Sequence, residues 1–201
     1  MLTALHRQPL LVVLRAYNLL ELLPCLERLH ELGVQHVELA WSTHPSWVAQ
    51  VIELRQRFAH LRLGAASVVD TAGLEAAAAA GLGYAVSPVL NRGLIEAAMS
   101  LDLQFVPGVM SPSEVHLARL WGCSIVKLFP AAALGPFYWQ RLAGPLAGAA
   151  GLPFCIAAGG LGPADVEPWL AAGVDAVALG GSLANPADWE ALARLVERLR
   201  H

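Results

Sequence analysis

Lysine is almost missing from this chain. Among 201 residues there is one, Lys127, and the other twelve basic side chains are arginines. Charge of either sign is sparse: Asp, Glu, Lys and Arg make up 14% and the net charge is -3. No basic run exists that would track a phosphate backbone, which argues against nucleic acid as a partner. Long apolar runs are missing too, because Arg, Glu, Asp, Pro or Gly interrupt every stretch before membrane-spanning length, so no membrane partner is expected. The segment from Met1 to Arg7 lacks the continuous apolar region and small-residue cleavage site of a secretory signal. Cysteines are three, Cys25, Cys123 and Cys155, odd in number and far apart. They fit buried thiols in a reducing cytoplasm better than a disulfide framework or a zinc site.

What is plentiful is apolar: 56% of the residues are hydrophobic. That is accounted for by a fully wound α/β core or by surface buried in an oligomer. The length suits one sizeable core, and a single domain over 1–201 is expected. Short apolar runs at 10–14, 35–40, 61–65, 84–87, 104–107, 125–129, 154–158 and 176–179 read as buried parallel strands. Between them, helical patterns cover 19–32, 46–58, 71–80, 92–99, 111–120, 138–147, 163–172 and 186–199. Ser111-Pro112-Ser113-Glu114 has the form of a capping box with proline in the first turn, and Asn185-Pro186 is a similar start. Gly33, Gly81, Gly122 and Gly173 mark helix ends. Eight strand–helix units predict an α/β fold, a single (β/α)8 TIM barrel. An open doubly wound sheet is the alternative, and it is disfavoured because no strand runs into a G-x-G-x-x-G turn.

Lys127 lies inside Ser124-Ile125-Val126-Lys127-Leu128-Phe129-Pro130, a run that reads as a core strand. A buried ammonium is costly unless it is paired or has lost its proton. A chain that avoids lysine elsewhere and keeps one here needs a primary amine, which arginine cannot supply. The plain alternative is a lysine at a strand end reaching out to water. In a β/α barrel the reacting groups come from the C-terminal strand ends. Read in order, those ends offer Arg15, Glu38, Ser67, Pro88, Pro107, then Lys127 with Phe129, then Gly159-Gly160, and last Gly180-Gly181-Ser182. Period two along the strands lets Lys127, Glu38 and Arg15 point into one cavity as amine, carboxylate and guanidinium. A salt bridge between Glu38 and Arg15 with no chemistry is the competing reading.

Two glycine pairs at the last two strand ends offer backbone N–H groups with little steric cover, a pattern suited to phosphate. Glycine alone is weak evidence, since turns use it freely. His36 and Glu38, two apart on a strand, are able to face one metal ion. No third ligand stands at another strand end, so no metal is expected, and His36 reads as a core histidine.

On these residues the chain resembles the 2-keto-3-deoxy-6-phosphogluconate / 4-hydroxy-2-oxoglutarate aldolase family (KDPG/KHG), over almost its whole length. The most specific segment is Val126-Lys127-Leu128-Phe129-Pro130-Ala131, continuing to Leu134-Gly135-Pro136. Val37-Glu38-Leu39, Val106-Pro107-Gly108-Val109 with the capping box, Gly159-Gly160 and Gly180-Gly181-Ser182 match further family segments. The resemblance implies a metal-independent, cofactor-free homotrimer of (β/α)8 barrels in the cytoplasm. It implies Lys127 as Schiff-base lysine and Glu38 as catalytic acid–base, with pyruvate and a small phosphorylated 2-keto-3-deoxy sugar acid as ligands. Arg15, Ser67, Pro88, Pro107 and Phe129 would hold substrate, and Gly159, Gly160, Gly180, Gly181 and Ser182 the phosphate. The chain departs from the family pattern at Ser42 (usually Arg), Ala66-Ser67 (usually Gly-Thr), Ala158 (usually Thr) and Val89. Ser42 and Gly135-Pro136-Phe137-Tyr138 look more like the branch acting on 2-keto-3-deoxy-6-phosphogalactonate. A barrel isomerase with Glu38 as base, or a catalytically weak barrel that binds a phosphorylated metabolite, are the rival functions.

Overall fold

The computed structural model describes residues 1–146, 151–181, 183 and 185–200. The expected helix end at 147 and Ser182 lie outside the described residues. Nine strands form one parallel sheet: β1 (Leu10–Leu14), β2 (His36–Ala40), β3 (Arg62–Ala66), β4 (Tyr84–Val86), β5 (Gln104–Val106), β6 (Gly108–Val109), β7 (Ile125–Leu128), β8 (Phe154–Ala158) and β9 (Ala176–Gly180). The helices are α1 (Leu2–Arg7), α2 (Leu23–Leu32), α3 (Trp47–Arg57), α4 (Thr71–Ala79), α5 (Arg92–Ser100), α6 (Pro112–Leu120), α7 (Ala131–Leu134), α8 (Tyr138–Leu146), α9 (Val166–Ala171) and α10 (Pro186–Arg198).

The strand order is β5-β4-β3-β2-β1-β9-β8-β7-β6, and every pairing is parallel. The fifth apolar run is split at Pro107, which has no N–H to give a ladder. Its first half, β5, pairs with β4, and its second half, β6, pairs with β7. One bent strand thus serves both neighbours and brings the sheet round to a nearly closed barrel, the architecture that the eight-unit pattern predicts.

Burial explains why these segments are strands. All five residues of β2 and all four of β7 are buried, as expected where helices cover one face and the barrel interior the other. Caps set the helix starts. Asp70 accepts the Gly73 N–H at 2.8 Å, and Ser111 and Glu114 form the reciprocal box that the sequence spells. At the other end of α2, Gly33 takes φ of 78°, a left-handed turn that glycine adopts without Cβ strain.

One element has no counterpart in the apolar pattern. The short helix α1 inserts Leu5, fully buried, among Leu11, Ile125, Ile156 and Ala176 inside the barrel. It closes the N-terminal end of the barrel. The Gln8 amide then ties the start of β1 to the α2–β2 turn, donating to the Gly33 carbonyl at 2.9 Å and accepting the Gln35 N–H at 2.7 Å. Among the described residues no helix is long and apolar enough to cross a membrane.

Candidate active site

Lys127 stands in the middle of β7, in register with Gly108 of β6 and Ile156 of β8. Its backbone N–H donates to the Pro107 carbonyl at 2.8 Å, so the break in the fifth strand fixes the lysine's height in the barrel. The side chain is 8% exposed, and Nζ lies 4.7 Å from the centroid of the Phe129 ring. Burial lowers the lysine pKa; Glu38 pulls it back up and Arg15 pushes it further down. Glu38, on β2, is 1% exposed. Burial raises its pKa from 4.5 to about 7, against the opposing pull of the Lys127 charge. Amine and carboxyl are therefore close enough to act on each other, yet both are shifted toward their neutral forms. A neutral amine is a nucleophile, and an acid near 7 gives and takes protons at neutral pH.

Above them opens a cavity of about 510 Å³, at the C-terminal ends of the strands. Arg15, Ser67, Pro88, Lys127 and Phe129 line it, and so do Gly159, Gly180 and Gly181. Eight of the twelve expected site residues thus share one wall. Of the other four, Glu38 is buried behind the wall, Pro107 is buried beside the backbone of Lys127, Gly160 is exposed next to Gly159, and Ser182 lies outside the described residues.

Arg15 does not pair with Glu38. Its guanidinium donates to Ser67 Oγ at 2.8 Å, and Ser67 takes φ of 61° to present that oxygen. Gly159 has φ of 98°, and a Cβ there would stand 2.8 Å from the Phe129 ring. Glycine is what lets the phenyl ring lie between the lysine amine and the glycine-rich rim. The lining residues include the Arg15 guanidinium but no carboxylate, a balance suited to an anionic ligand.

Some expectations need correction in detail. Cys155 is buried, but Cys25 and Cys123 are only half-buried, and Cys25 lines the cavity. Its place in the first turn of α2, away from any strand end, hid it in the sequence. His36 is fully buried as read, but neither ring nitrogen has a hydrogen-bond partner. Among the described residues no three His, Cys, Asp or Glu side chains cluster as metal ligands.

Fold and cavity place the molecule among the (β/α)8-type barrels, with a buried amine–carboxyl pair under the C-terminal mouth. A family model described as "KDPG and KHG aldolase" matches residues 2–196. The chain belongs to that family: it is an aldolase, a lyase of carbon–carbon bonds. It is 30% identical over 196 residues to the 2-dehydro-3-deoxy-phosphogluconate aldolase of Pseudomonas aeruginosa, covering 90% of this chain and 86% of that one. It is 28% identical over 179 residues to a probable 2-dehydro-3-deoxy-6-phosphogalactonate aldolase of Rhizobium meliloti, covering 89% and 83%. Its fold superposes on the KDPG aldolase of Legionella pneumophila, solved with pyruvate captured as a covalent carbinolamine, with a TM-score of 0.78 and 25% identity over 95% of this chain and 93% of that one.

Proposed function

We propose that this aldolase works through a Schiff base on Lys127 and cleaves 2-keto-3-deoxy-6-phosphogluconate to pyruvate and glyceraldehyde 3-phosphate. The observation that carries the reading is the chain's one lysine, 8% exposed on the cavity wall and held toward its neutral form by burial. The amine attacks the C2 carbonyl, and loss of water gives an iminium. Glu38 takes the proton of the C4 hydroxyl. The C3–C4 bond breaks, its electron pair moves into the iminium to form an enamine, and the aldehyde leaves. Protonation at C3 and hydrolysis release pyruvate and restore the amine. Arg15, steadied by Ser67, binds the substrate carboxylate. The rim glycines Gly159, Gly160, Gly180 and Gly181 offer N–H groups to the phosphate. The captured carbinolamine in the Legionella pneumophila relative supports the covalent step.

A second reading is the galactonate-derived epimer as substrate. It is favoured by Ser42, whose small half-buried side chain accepts the His44 N–H at 3.5 Å and leaves no long cation at that strand end. Assembly as a homotrimer fits the exposed apolar side chains Phe137 (59%) and Tyr17 (65%). The three cysteines, all free, suit a reducing cytoplasm.

Incubation with pyruvate and borohydride tests the covalent step. One three-carbon adduct on Lys127, lost in Lys127→Arg, is expected. An adduct confined to the N-terminal amine, with turnover unaffected by the substitution, would sink it. Pyruvate release from the two epimers and from 4-hydroxy-2-oxoglutarate ranks the substrates.

A further inference from the structure

Tyr84 of β4 carries its phenol inside the barrel. It is 5% exposed and belongs to the interior apolar cluster with Leu11, Val106, Ile125 and Ile156, and its hydroxyl has no hydrogen-bond partner. A buried hydroxyl without a partner is costly, and phenylalanine would fill the same place without that cost. The hydroxyl therefore calls for a use that packing does not supply.

The strands aim it at Glu38. Gly64 of β3 is in register with Glu38 of β2, and on the other side Ala65 pairs with Ala85, one residue on from Gly64 and Tyr84. Gly64 thus lies between the two side chains. A Cβ there would stand 2.2 Å from Tyr84 Cζ and 2.3 Å from Cε2, so the end of the ring that bears the hydroxyl lies across the glycine, toward Glu38. Any other residue at this position would close that path. The remaining neighbours of the carboxyl are mostly without charge. β1 offers Val13, and the interior residues of β8 and β9 are apolar. β7 offers Lys127, whose charge lowers the Glu38 pKa while burial raises it to about 7; no hydrogen bond contributes. Arg15 is turned to Ser67. His36, two residues back on β2, has its pKa lowered to about 4 and is neutral near pH 7, and Arg62, in register with it, lies at the exposed start of β3. The phenol stays protonated, because burial and then the Glu38 charge raise its pKa well above 10.

We propose that Tyr84 is a positioning residue for Glu38: its hydroxyl donates a hydrogen bond to the carboxylate that forms when Glu38 gives up its proton. The inference rests on the acid–base role of Glu38 proposed above. Burial opposes the charged form of Glu38, and the Lys127 charge favours it. When the amine is neutral, as attack on the substrate requires, that support falls away and a neutral donor is what remains. A hydrogen bond to the charged form lowers a carboxyl pKa. Tyr84 thus keeps Glu38 able to ionise near neutral pH and holds the carboxylate in one orientation as protons come and go.

The test compares wild type with Tyr84→Phe, which keeps the ring and removes only the hydroxyl. Glu38 is titrated in the full chain, without substrate, by nuclear magnetic resonance of isotope-labelled glutamate carboxyl carbons, its signal assigned by its loss in Glu38→Gln. The Glu38 pKa should be about one pH unit higher in Tyr84→Phe, the effect of losing a hydrogen bond to a charged group. The rising limb of kcat/KM for pyruvate release should move upward by the same amount. In a Glu38→Gln background the same substitution should leave the residual turnover unchanged, whereas a phenol that merely packs would lower turnover in both backgrounds alike. A carboxyl that titrates at the same pH in wild type and Tyr84→Phe overturns the inference. A carboxyl that moves while the limb of kcat/KM stays put upholds the hydrogen bond and removes Glu38 as the base.

Discussion

Replacing Glu38 by glutamine should make the protein more stable and less active, and the gain in stability should depend on pH. Glu38 holds its proton more tightly in the folded chain, because burial penalises the carboxylate. The folded value is about 7 against an ordinary 4.5. Stability from this group is therefore complete below about 4.5 and is lost as pH rises through about 7. The full loss corresponds to about 3 kcal/mol. Glutamine is neutral throughout, so the gap between variant and wild type should open from near zero at pH 4 to about 3 kcal/mol at pH 8. For a chain of this size that is roughly 6–12 °C in Tm at the upper pH. Thermal unfolding followed by circular dichroism across that range measures it. Turnover of the same variant should fall by roughly 10²–10⁴-fold. The loss would not come from the amine, since removing the Glu38 charge lowers the Lys127 pKa further. A gap that stays flat with pH, or a variant that is the less stable one at pH 8, would show that Glu38 is held as a carboxylate by a partner charge, and the argument from burial would be wrong.

Other outcomes follow from the same geometry. Wild-type turnover should rise with pH across about 7 as Glu38 ionises, and this limb should vanish in Glu38→Gln. Gly181 has φ of 73° and open space where a Cβ would stand, a conformation that aspartate tolerates; Gly181→Asp should raise KM for phosphorylated substrate far more than for an unphosphorylated analogue, and equal losses would remove this glycine from the phosphate site. Gly159→Ala combines a φ of 98° with a contact 2.8 Å from Phe129, so it should cost roughly 1–3 kcal/mol in urea unfolding and lower kcat by displacing the ring beside Lys127; a silent substitution would show that the ring moves freely. Ser42→Arg should tighten binding of the gluconate-derived substrate about tenfold and weaken that of its epimer, and an unchanged ratio of kcat/KM would mean that position 42 does not select substrate.

The barrel was legible because parallel strands buried on both faces read as continuous apolar runs, and Ser111-Pro112-Ser113-Glu114 names its helix start outright. The helix α1 was not, because six residues carry too little periodicity and Leu5 is buried only by strands that come later in the chain. Pro107 was read as a strand end; that it divides one strand between two neighbours depends on where β4 and β7 lie in space. Lys127 stood out because the chain has no other lysine to dilute the signal. Arg15 was seen, but its partner was not: Ser67 reaches it only through a left-handed backbone turn that a sequence does not display. Tyr84 passed as an ordinary strand aromatic. Its path is set by Gly64 on the next strand, whose missing side chain leaves room for the phenol.

An aldolase handles aldehydes, and aldehydes condense with any primary amine within reach. In this chain the one side-chain amine sits 8% exposed on the cavity wall, and arginines carry the rest of the positive charge. Its exterior thus offers product no lysine on which glycation or carbonyl cross-linking between molecules could start. Amine-directed reagents, from acylating esters to pyridoxal derivatives, find only the N-terminal amine and the cavity. On the proposed Schiff-base mechanism the molecule is labelled at its own working position, and a single mass shift on Lys127 reads out whether that position is open, occupied or spent.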